Sequence, residues 1–361
     1  MSLAPALPEL IARARADMRM GVPVVLRSSD HISLAAAAEG LSPERLAALK
    51  ALGTTYMAIT SRRAQTLSAR AYDGDVARII LPDDADVEWI AAVAAPEHDL
   101  AAPMKGPFKT LRSDSATHAR TAIALAKTAR LLPAAIMVDL PVDTKEDLSA
   151  LTSLPAELAL PHMATLAPLA DVVSARVPLT VSDAGRVHVF RPDDGAEEHF
   201  AVEIGRPDRN APVLARLHSA CFTGDIMGSL KCDCGPQLRA ALAQMGEEGA
   251  GVLLYLNQEG RGIGHANKMR AYTLQDQGFD TVEANHRLGF EDDERDLRIG
   301  AAILKKMGFS SVRLLTNNPA KIARMEDQGI KVTERVPLKV GQTPENAGYL
   351  ATKAKKSGHL L

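Results

Sequence analysis

Cys221, Cys232 and Cys234 are the three cysteines of a 361-residue chain, and all fall within the stretch "RLHSACFTGDIMGSLKCDCGPQL". A Cys-x-Cys pair with a third cysteine upstream offers three soft thiolates and leaves a fourth tetrahedral position open. That pattern separates a catalytic zinc from a closed structural one, and zinc so bound can hold and activate a water. No Cys-x-x-Cys pair of a zinc ribbon accompanies them, and nearby His218 could instead close the site as a structural fourth ligand. The spacing by itself therefore admits catalytic zinc, structural zinc or three unligated core thiols. A disulfide framework fits poorly, because the number is odd and thiols stay reduced in the cytoplasmic setting expected below.

Further polar groups lie downstream. "NQEGRGIGHANK", Asn257 to Lys268, is a glycine-rich loop between an apolar strand and a helix, where backbone amides and a helix N-terminus can approach an anion. As a bare pattern it also describes a tight connection. It carries Glu259 and Arg261 at the C-terminal end of a strand, a common place for ligands in α/β sheets. "TNNPAK" repeats the arrangement, with Thr316 at a strand end and Lys321 in the next helix, while Asn318-Pro319 alone reads as a helix cap. Arg216, Arg261, Arg295 and Lys321 together would suit a polyphosphate, although each one singly reads as a surface charge.

The elements that must position these groups are α/β in both halves. Residues 1 to about 170 hold amphipathic stretches such as "LPELIARARADMRMG", "LSPERLAALKALG" and "ARTAIALAKTARLL", with apolar residues at helical spacing. Between them run "VPVVL", "TYMAIT", "ARIILP" and "AAIMVDLP", which read as buried strands, so the expectation is a layered α/β domain. Near residue 170 the pattern shifts to shorter strand-like pieces broken by Pro and Gly. Beyond Cys234, "GPQLRAALAQMGEEGAG" reads as a helix with Pro236 in its first turn and Leu238, Leu242 and Met245 on one face. "VLLYL" reads as a strand and "ANKMRAYTLQDQG" as a helix ended by Gly278. "DDERDLRIGAAILKKMG" reads as a helix with Asp292 or Asp293 near its N-cap. Strand "SVRLLT", helix "NPAKIARMEDQG" with Pro319 at its first position, and strand "KVTERVPL" complete the pattern. The expected fold class is thus two layered α/β domains, 1-170 and 171-361.

Composition excludes several classes. The chain is 46% apolar, enough for real cores, and its formal net charge of -2 argues against a general binder of nucleic acid or anionic membrane. The N-terminal stretch lacks a basic region followed by a continuous apolar core, and no apolar run approaches the roughly 18 residues needed to span a bilayer. Cytoplasmic location is expected, with no nucleic acid and no membrane among the partners.

From about Val177 to Leu361 the chain resembles GTP cyclohydrolase II, the enzyme that opens riboflavin biosynthesis. The motifs carrying the resemblance are "RLHSACFTGD", "GSLKCDCGPQL", "QEGRGIG", "NKMRAYTLQDQG", "DTVEANH", "DERD", "RLLTNNPAK", "ERVPL" and the terminal "GHLL", in the family's order. The resemblance implies zinc on Cys221, Cys232 and Cys234 with water as fourth ligand. It implies that GTP binds along Arg216, Leu217, His218, Ser219 and Ala220, and at Gln237, Glu259, Gly260, Arg261, Thr281, Thr316 and Lys321. Asp293 becomes the proton acceptor and Arg295 the nucleophile. Each position carries the family's residue type except Ala220, where many members have glutamate, and Asn257 and His265 also depart from the family's loop. Recognition of the base is expected to differ beside Ala220.

The implied chemistry suits these residues. Zinc lowers the pKa of its water by several units, giving a nucleophile for the imidazole ring of guanine, after which the ring opens and formate leaves. Diphosphate is released by attack on the α-phosphorus through a guanylyl-enzyme, the role carried to Arg295. Magnesium is expected with the triphosphate, whose charge exceeds what the nearby cations offset. Asp293 and Arg295 are two apart and do not share a helical face, so both must lie at a helix start or in the loop before it. A homodimer is expected. Other functions of such a chain would be a non-catalytic nucleotide and zinc binder, or ring opening of another nucleotide.

Residues 1-170 resemble a worn dihydroxybutanone phosphate synthase domain. "ARADMRMGVPVVL", "AAAAEGLSPERLAALKALGTTYMAITSRRAQTL" and "THARTAIALAKTARLLPAAIMVDL" carry that likeness, mostly in apolar pattern. Where that family has an acidic run after its first strand, this chain reads "RSSDHISLAA", and the family's "GHTE" becomes Thr117-His118-Ala119-Arg120. A magnesium site needs clustered carboxylates, so this domain is expected to fold without synthase activity, leaving His31 and His118 as structural or surface residues.

Overall fold

A computed structural model describes residues 3–112, 115–358 and 360, so His359 and Leu361 of the terminal "GHLL" motif lie outside the described residues. By internal contacts the chain divides into two units, Met1–Thr165 with Ile263–Glu294, and Leu166–Gly262 with Arg295–Leu361. The second half, however, is not continuous: Ile263–Glu294 packs with the first unit.

Six strands form the sheet of the first unit: β1 (Val24–Arg27), β2 (His31–Ala37), β3 (Thr55–Thr60), β4 (Val76–Ile80), β5 (Ala134–Pro141) and β6 (Ser153–Pro155). Their order is β4-β3-β5-β2-β1-β6. β1 and β6 run parallel, while the other neighbours are antiparallel. Period-2 alternation puts Met57 and Ile59 of β3 in one apolar cluster and Tyr56 and Ala58 in the other, so both faces are covered and every residue of β3 is buried. The helices Leu7–Arg19 and Thr117–Thr128 cover one face through Ile11, Ala14, Met18, Ala122 and Leu125.

The opposite face takes residues from distant sequence. Ile263, Ala271, Leu274, Leu288 and Phe290, on or beside the helices His265–Asp276 and Thr281–Arg287, join the cluster of Ile59, Ile79 and Ile136. Polar contacts hold the segment in the same unit: Arg270 pairs with Glu39 and Glu97, Lys127 with Glu294, and Arg62 with Glu291. Fully buried Arg63 makes a two-pronged pair with Asp99, with Nη1 2.5 Å from Oδ2 and Nη2 3.0 Å from Oδ1. Removing one partner of such a buried pair typically costs about 3–5 kcal/mol.

The second unit carries a seven-stranded sheet in the order β13-β12-β10-β11-β9-β8-β7. Its strands are β7 (Leu169–Arg176), β8 (Gly185–Pro192), β9 (His199–Ile204), β10 (Val213–Ser219), β11 (Gly251–Leu256), β12 (Ser311–Leu315) and β13 (Lys331–Val336). β7 to β9 form an antiparallel meander joined to β11, and β11, β10, β12 and β13 are parallel. From β10 the chain returns through the helix Cys234–Glu248 to β11 on one side, while β12 lies on the other. Connections that diverge this way open a crevice beyond the strands' C-terminal ends.

The expected helices form, with two instructive details. Asn318 caps Pro319–Asp327 by accepting from Ala320 N at 3.0 Å, an N-cap worth about 1 kcal/mol, and His265–Asp276 stops before Gly278 at φ +100°. The cap expected at Asp292 or Asp293 does not form, because the helix begins only at Arg298. Asp292 instead meets His286 Nε2 at 2.5 Å, and Asp296 accepts from Arg298 N at 2.9 Å. Among the described residues no helix is long and apolar enough to cross a membrane.

Candidate metal centre and anion site

Alternation along β10 decides what reaches the crevice. Val213, Ala215 and Leu217 face the cluster of Ala301, Ile303 and Leu304, whereas Leu214 faces the cluster containing Ala241 and Met245 of the helix Cys234–Glu248. Arg216 and His218 share the latter parity. Arg216 accordingly meets that helix: its Nη2 donates to Gln237 Oε1 at 2.6 Å and its Nη1 to the Leu315 carbonyl at 3.2 Å. Burial pulls the Arg216 guanidinium down to about 10, and its Nε has no hydrogen-bond partner among the described residues. Leu217, by contrast, is a core side chain, and only its backbone reaches the site, where its carbonyl accepts from Lys321 Nζ at 2.8 Å.

Beyond Ser219 the strand pairing continues for one residue, with Ala220 N donating to the Leu256 carbonyl at 2.8 Å. Cys221 then turns into the short helical segment Phe222–Ile226. The three thiols converge there: the Sγ atoms of Cys221, Cys232 and Cys234 all lie within 4.8 Å of one another, with Cys221 and Cys232 3.8 Å apart. Gly224 makes room for them. A Cβ at this position would sit 2.6 Å from Cys232 Sγ and 3.0 Å from Cys234 Cβ, and the Gly224 amide donates to Cys221 Sγ at 3.3 Å. Contact with the Cys221 thiol, reinforced by burial, raises Cys232 and holds Cys234 well above the usual thiol range. Thiols that resist ionisation side by side ionise together only around a shared cation, so the donor set fits a thiophilic divalent metal. His218 does not join this group; its Nε2 faces Asp225 at 3.0 Å from Oδ1.

The remaining predicted residues of this unit gather at the same strand ends. After β11, Glu259 Oε1 accepts from Phe222 N at 3.0 Å, tying the glycine-rich loop to the cysteine loop. Gly260 and Arg261 adopt left-handed backbone with φ of 64° and 60°. For Arg261 that conformation costs on the order of 1–2 kcal/mol, strain of the kind that collects at ligand sites. After β12, buried Thr316 Oγ1 accepts from Asn318 N at 3.0 Å. Arg295, half-buried in the loop before Arg298–Lys306, donates from Nη1 to Ser219 Oγ at 3.2 Å. Asn257 donates from Nδ2 to the Glu198 carbonyl at 2.5 Å, so this departure from the family pattern serves the β9 side of the sheet.

Two predicted residues belong to the first unit. Thr281 opens the helix Thr281–Arg287, and its Oγ1 accepts from Gln275 Nε2 at 3.2 Å. Asp293 is exposed, in the loop near the end of the segment that packs with that unit. His265, at the first position of its helix, is exposed in the same segment.

Three groups at the site escaped the sequence reading. Asp225 collects donors from Cys221, His218 and Tyr255; Asp233 accepts from Gln237 Nε2 at 2.5 Å; and Gly224 supplies space. The one signal for Asp225 and Gly224 was the "TGD" of the motif around the first cysteine.

In the first unit, His118 is buried and stacks on His31 with ring centroids 4.1 Å apart. Its Nδ1 lies 2.7 Å from Ser33 Oγ, which donates to Asp139 Oδ1 at 2.5 Å, and Tyr56 OH donates to the same oxygen at 3.0 Å.

Comparison with known proteins shows the chain's family. Residues 170–337 match the family model described as GTP cyclohydrolase II. A GTP cyclohydrolase-2 of Azospirillum brasilense is 41% identical over 97% of this chain and 94% of its own length. A GTP cyclohydrolase-2 of Azotobacter vinelandii is 57% identical over 48% of this chain and 84% of its own. The riboflavin biosynthesis protein RibBA of Bacillus mycoides is 49% identical over 66% of this chain and 57% of its own length.

Proposed function

The chain belongs to the GTP cyclohydrolase II family, and from that premise we propose that it hydrolyses GTP in riboflavin biosynthesis, releasing formate, diphosphate and the ring-opened diaminopyrimidinone ribonucleotide. The observation that carries the finer reading is the convergence of three thiols at the mouth of the β10 and β12 crevice, beside buried Arg216. Zinc is the metal that three thiolates and an open fourth position suit, and when bound it supplies an acidified water for attack on the purine ring.

The chain's own residues bind and orient. Arg216, Gln237, Lys321 and Arg261 stand at the strand ends as donors for the nucleotide's oxygens, with Ser219, Ala220, Glu259, Gly260, Thr316 and the backbone of Leu217 and His218 shaping the site. Thr281 completes the nucleotide set. Asp293 takes up a proton and Arg295, its strongly basic guanidinium first deprotonated, attacks the α-phosphorus, forming the N–P bond as the bond to diphosphate breaks. Magnesium accompanies the triphosphate. The protein acts as a cytoplasmic homodimer without nucleic acid or membrane.

Residues 1-170 are a synthase-like domain without synthase activity, and 171-361 the cyclohydrolase domain. Support for the first statement comes from "RSSDHISLAA" and from the Ser33, His118 and Asp139 side chains, which bond to one another.

The test is to incubate the purified chain with GTP, zinc and magnesium and measure formate and diphosphate together. Stoichiometric release of both supports the reading. Absence of both, or release only from another nucleotide, overturns it. Dihydroxybutanone phosphate formed from ribulose 5-phosphate would overturn the reading of the first domain.

A further inference from the structure

The loop from Cys221 to Asp233 must hold a metal ligand still, yet Phe222, Ile226, Met227 and Leu230 point their apolar side chains to the outside. Apolar packing therefore does little to fix it. The Asp225 side chain, 3% exposed, supplies another means. Its carboxylate accepts from three donors on three segments: Cys221 N at 3.0 Å, Tyr255 OH at 3.0 Å, and His218 Nε2 at 3.0 and 3.1 Å from its two oxygens. Its own amide donates to the Cys221 carbonyl at 2.7 Å.

His218 and Tyr255 are cross-strand partners on β10 and β11, with rings stacked at 5.6 Å. They belong to the rigid centre of the sheet. Asp225 thus clamps both backbone polar groups of the first cysteine, and two neighbouring strands hold the clamp. Because a carboxylate only accepts, His218 must present Nε2–H to it, which also fixes the imidazole's orientation.

We propose that Asp225 is a positioning residue: it sets the Cys221 thiolate and the His218 ring in place, touching neither metal nor substrate. This rests on the reading of the three cysteines as a zinc site. Groups that orient metal ligands from behind typically govern affinity or activity by about 10- to 100-fold.

The test compares full-length wild type, Asp225→Asn and Tyr255→Phe. Zinc affinity is read by chelator competition, ligand geometry by the visible absorption of the cobalt-substituted protein, and turnover by formate release. For Asp225→Asn we expect one metal per chain held about 10- to 100-fold more weakly and a shifted cobalt spectrum. Its kcat should fall while KM for GTP changes by less than about threefold. Tyr255→Phe, which leaves two donors in place, should move affinity and spectrum the same way by less; it carries the test if Asp225→Asn does not fold. Wild-type affinity and spectrum in the variants overturn the proposal, as does a KM effect with metal binding untouched. A wild-type chain that binds zinc but releases no formate fails the functional reading alone, because the affinity comparison still stands.

Discussion

Arg295 Nη1 donates to Ser219 Oγ at 3.2 Å, so the proposed nucleophile is held to the end of β10, next to the turn that carries Cys221, the first of the three clustered cysteines. The loop around it is kept in shape by its neighbours, since Asp296 binds the Arg298 amide and guanidinium. Arg295→Ala should therefore leave Tm nearly unchanged and lower formate release by more than about 100-fold, whereas Ser219→Ala, which removes one hydrogen bond, should cost less than about tenfold. Steady-state kinetics beside a melting curve checks this. A guanylyl adduct isolated on another side chain would sink the covalent role.

Gly224 and Cys232 are in closer register than any side chain allows. Gly224→Ala should spread the thiols, weaken zinc binding at least about tenfold and reduce turnover in step, while the sheet beneath persists. Cys232→Ser should remove zinc and abolish formate release. Metal content and activity of the same samples decide the matter: full turnover without metal refutes the catalytic assignment.

Ala220 is half-buried beside Cys221, and its amide is already committed to Leu256. Ala220→Glu should preserve the fold and raise the kcat/KM ratio for GTP over other purine nucleoside triphosphates, because a carboxylate there adds an acceptor for guanine's N–H donors. An unchanged ratio across a nucleotide panel would show that base recognition lies elsewhere.

In the first unit, burial pulls His118 down from 6.5 to about 4, with His31 beside it adding to the effect. A depressed histidine keeps the folded state neutral while the unfolded chain takes up a proton below 6.5. Its contribution is therefore fully present above pH 6.5 and is lost as pH falls toward 4, by on the order of 3 kcal/mol. Urea unfolding from pH 7 to 4 should show a shallower decline for His118→Asn than for wild type; identical slopes would mean that carboxylates alone set the acid limb.

Local chemistry made much of this protein legible. The cap at Asn318, the stop before Gly278 and the apolar face of Met245 all follow from interactions within a few residues, and the crowding of the cysteines in sequence pointed to the cluster their thiols form. The expected cap at Asp292 or Asp293 failed for an equally local reason that spacing does not reveal: the helix starts only at Arg298, Asp292 pairs with His286, and Asp296 accepts from the Arg298 amide in the turn before it.

What the tertiary structure alone decided is partnership. Ala271, Leu274, Leu288 and Phe290 announce a buried face, but an apolar pattern carries no address, and only folding sends Ile263–Glu294 to the first unit. Likewise "TGD" names an aspartate without its donors. The order β12-β10-β11 brings His218 and Tyr255 side by side, and the turn after Cys221 lowers Asp225 between them. Sequence determined which residues could bind metal and which segments would be helix or strand, because those depend on side-chain type and near neighbours. Which distant groups hold the cysteine loop still depends on strand order and burial, and these are properties of the folded chain.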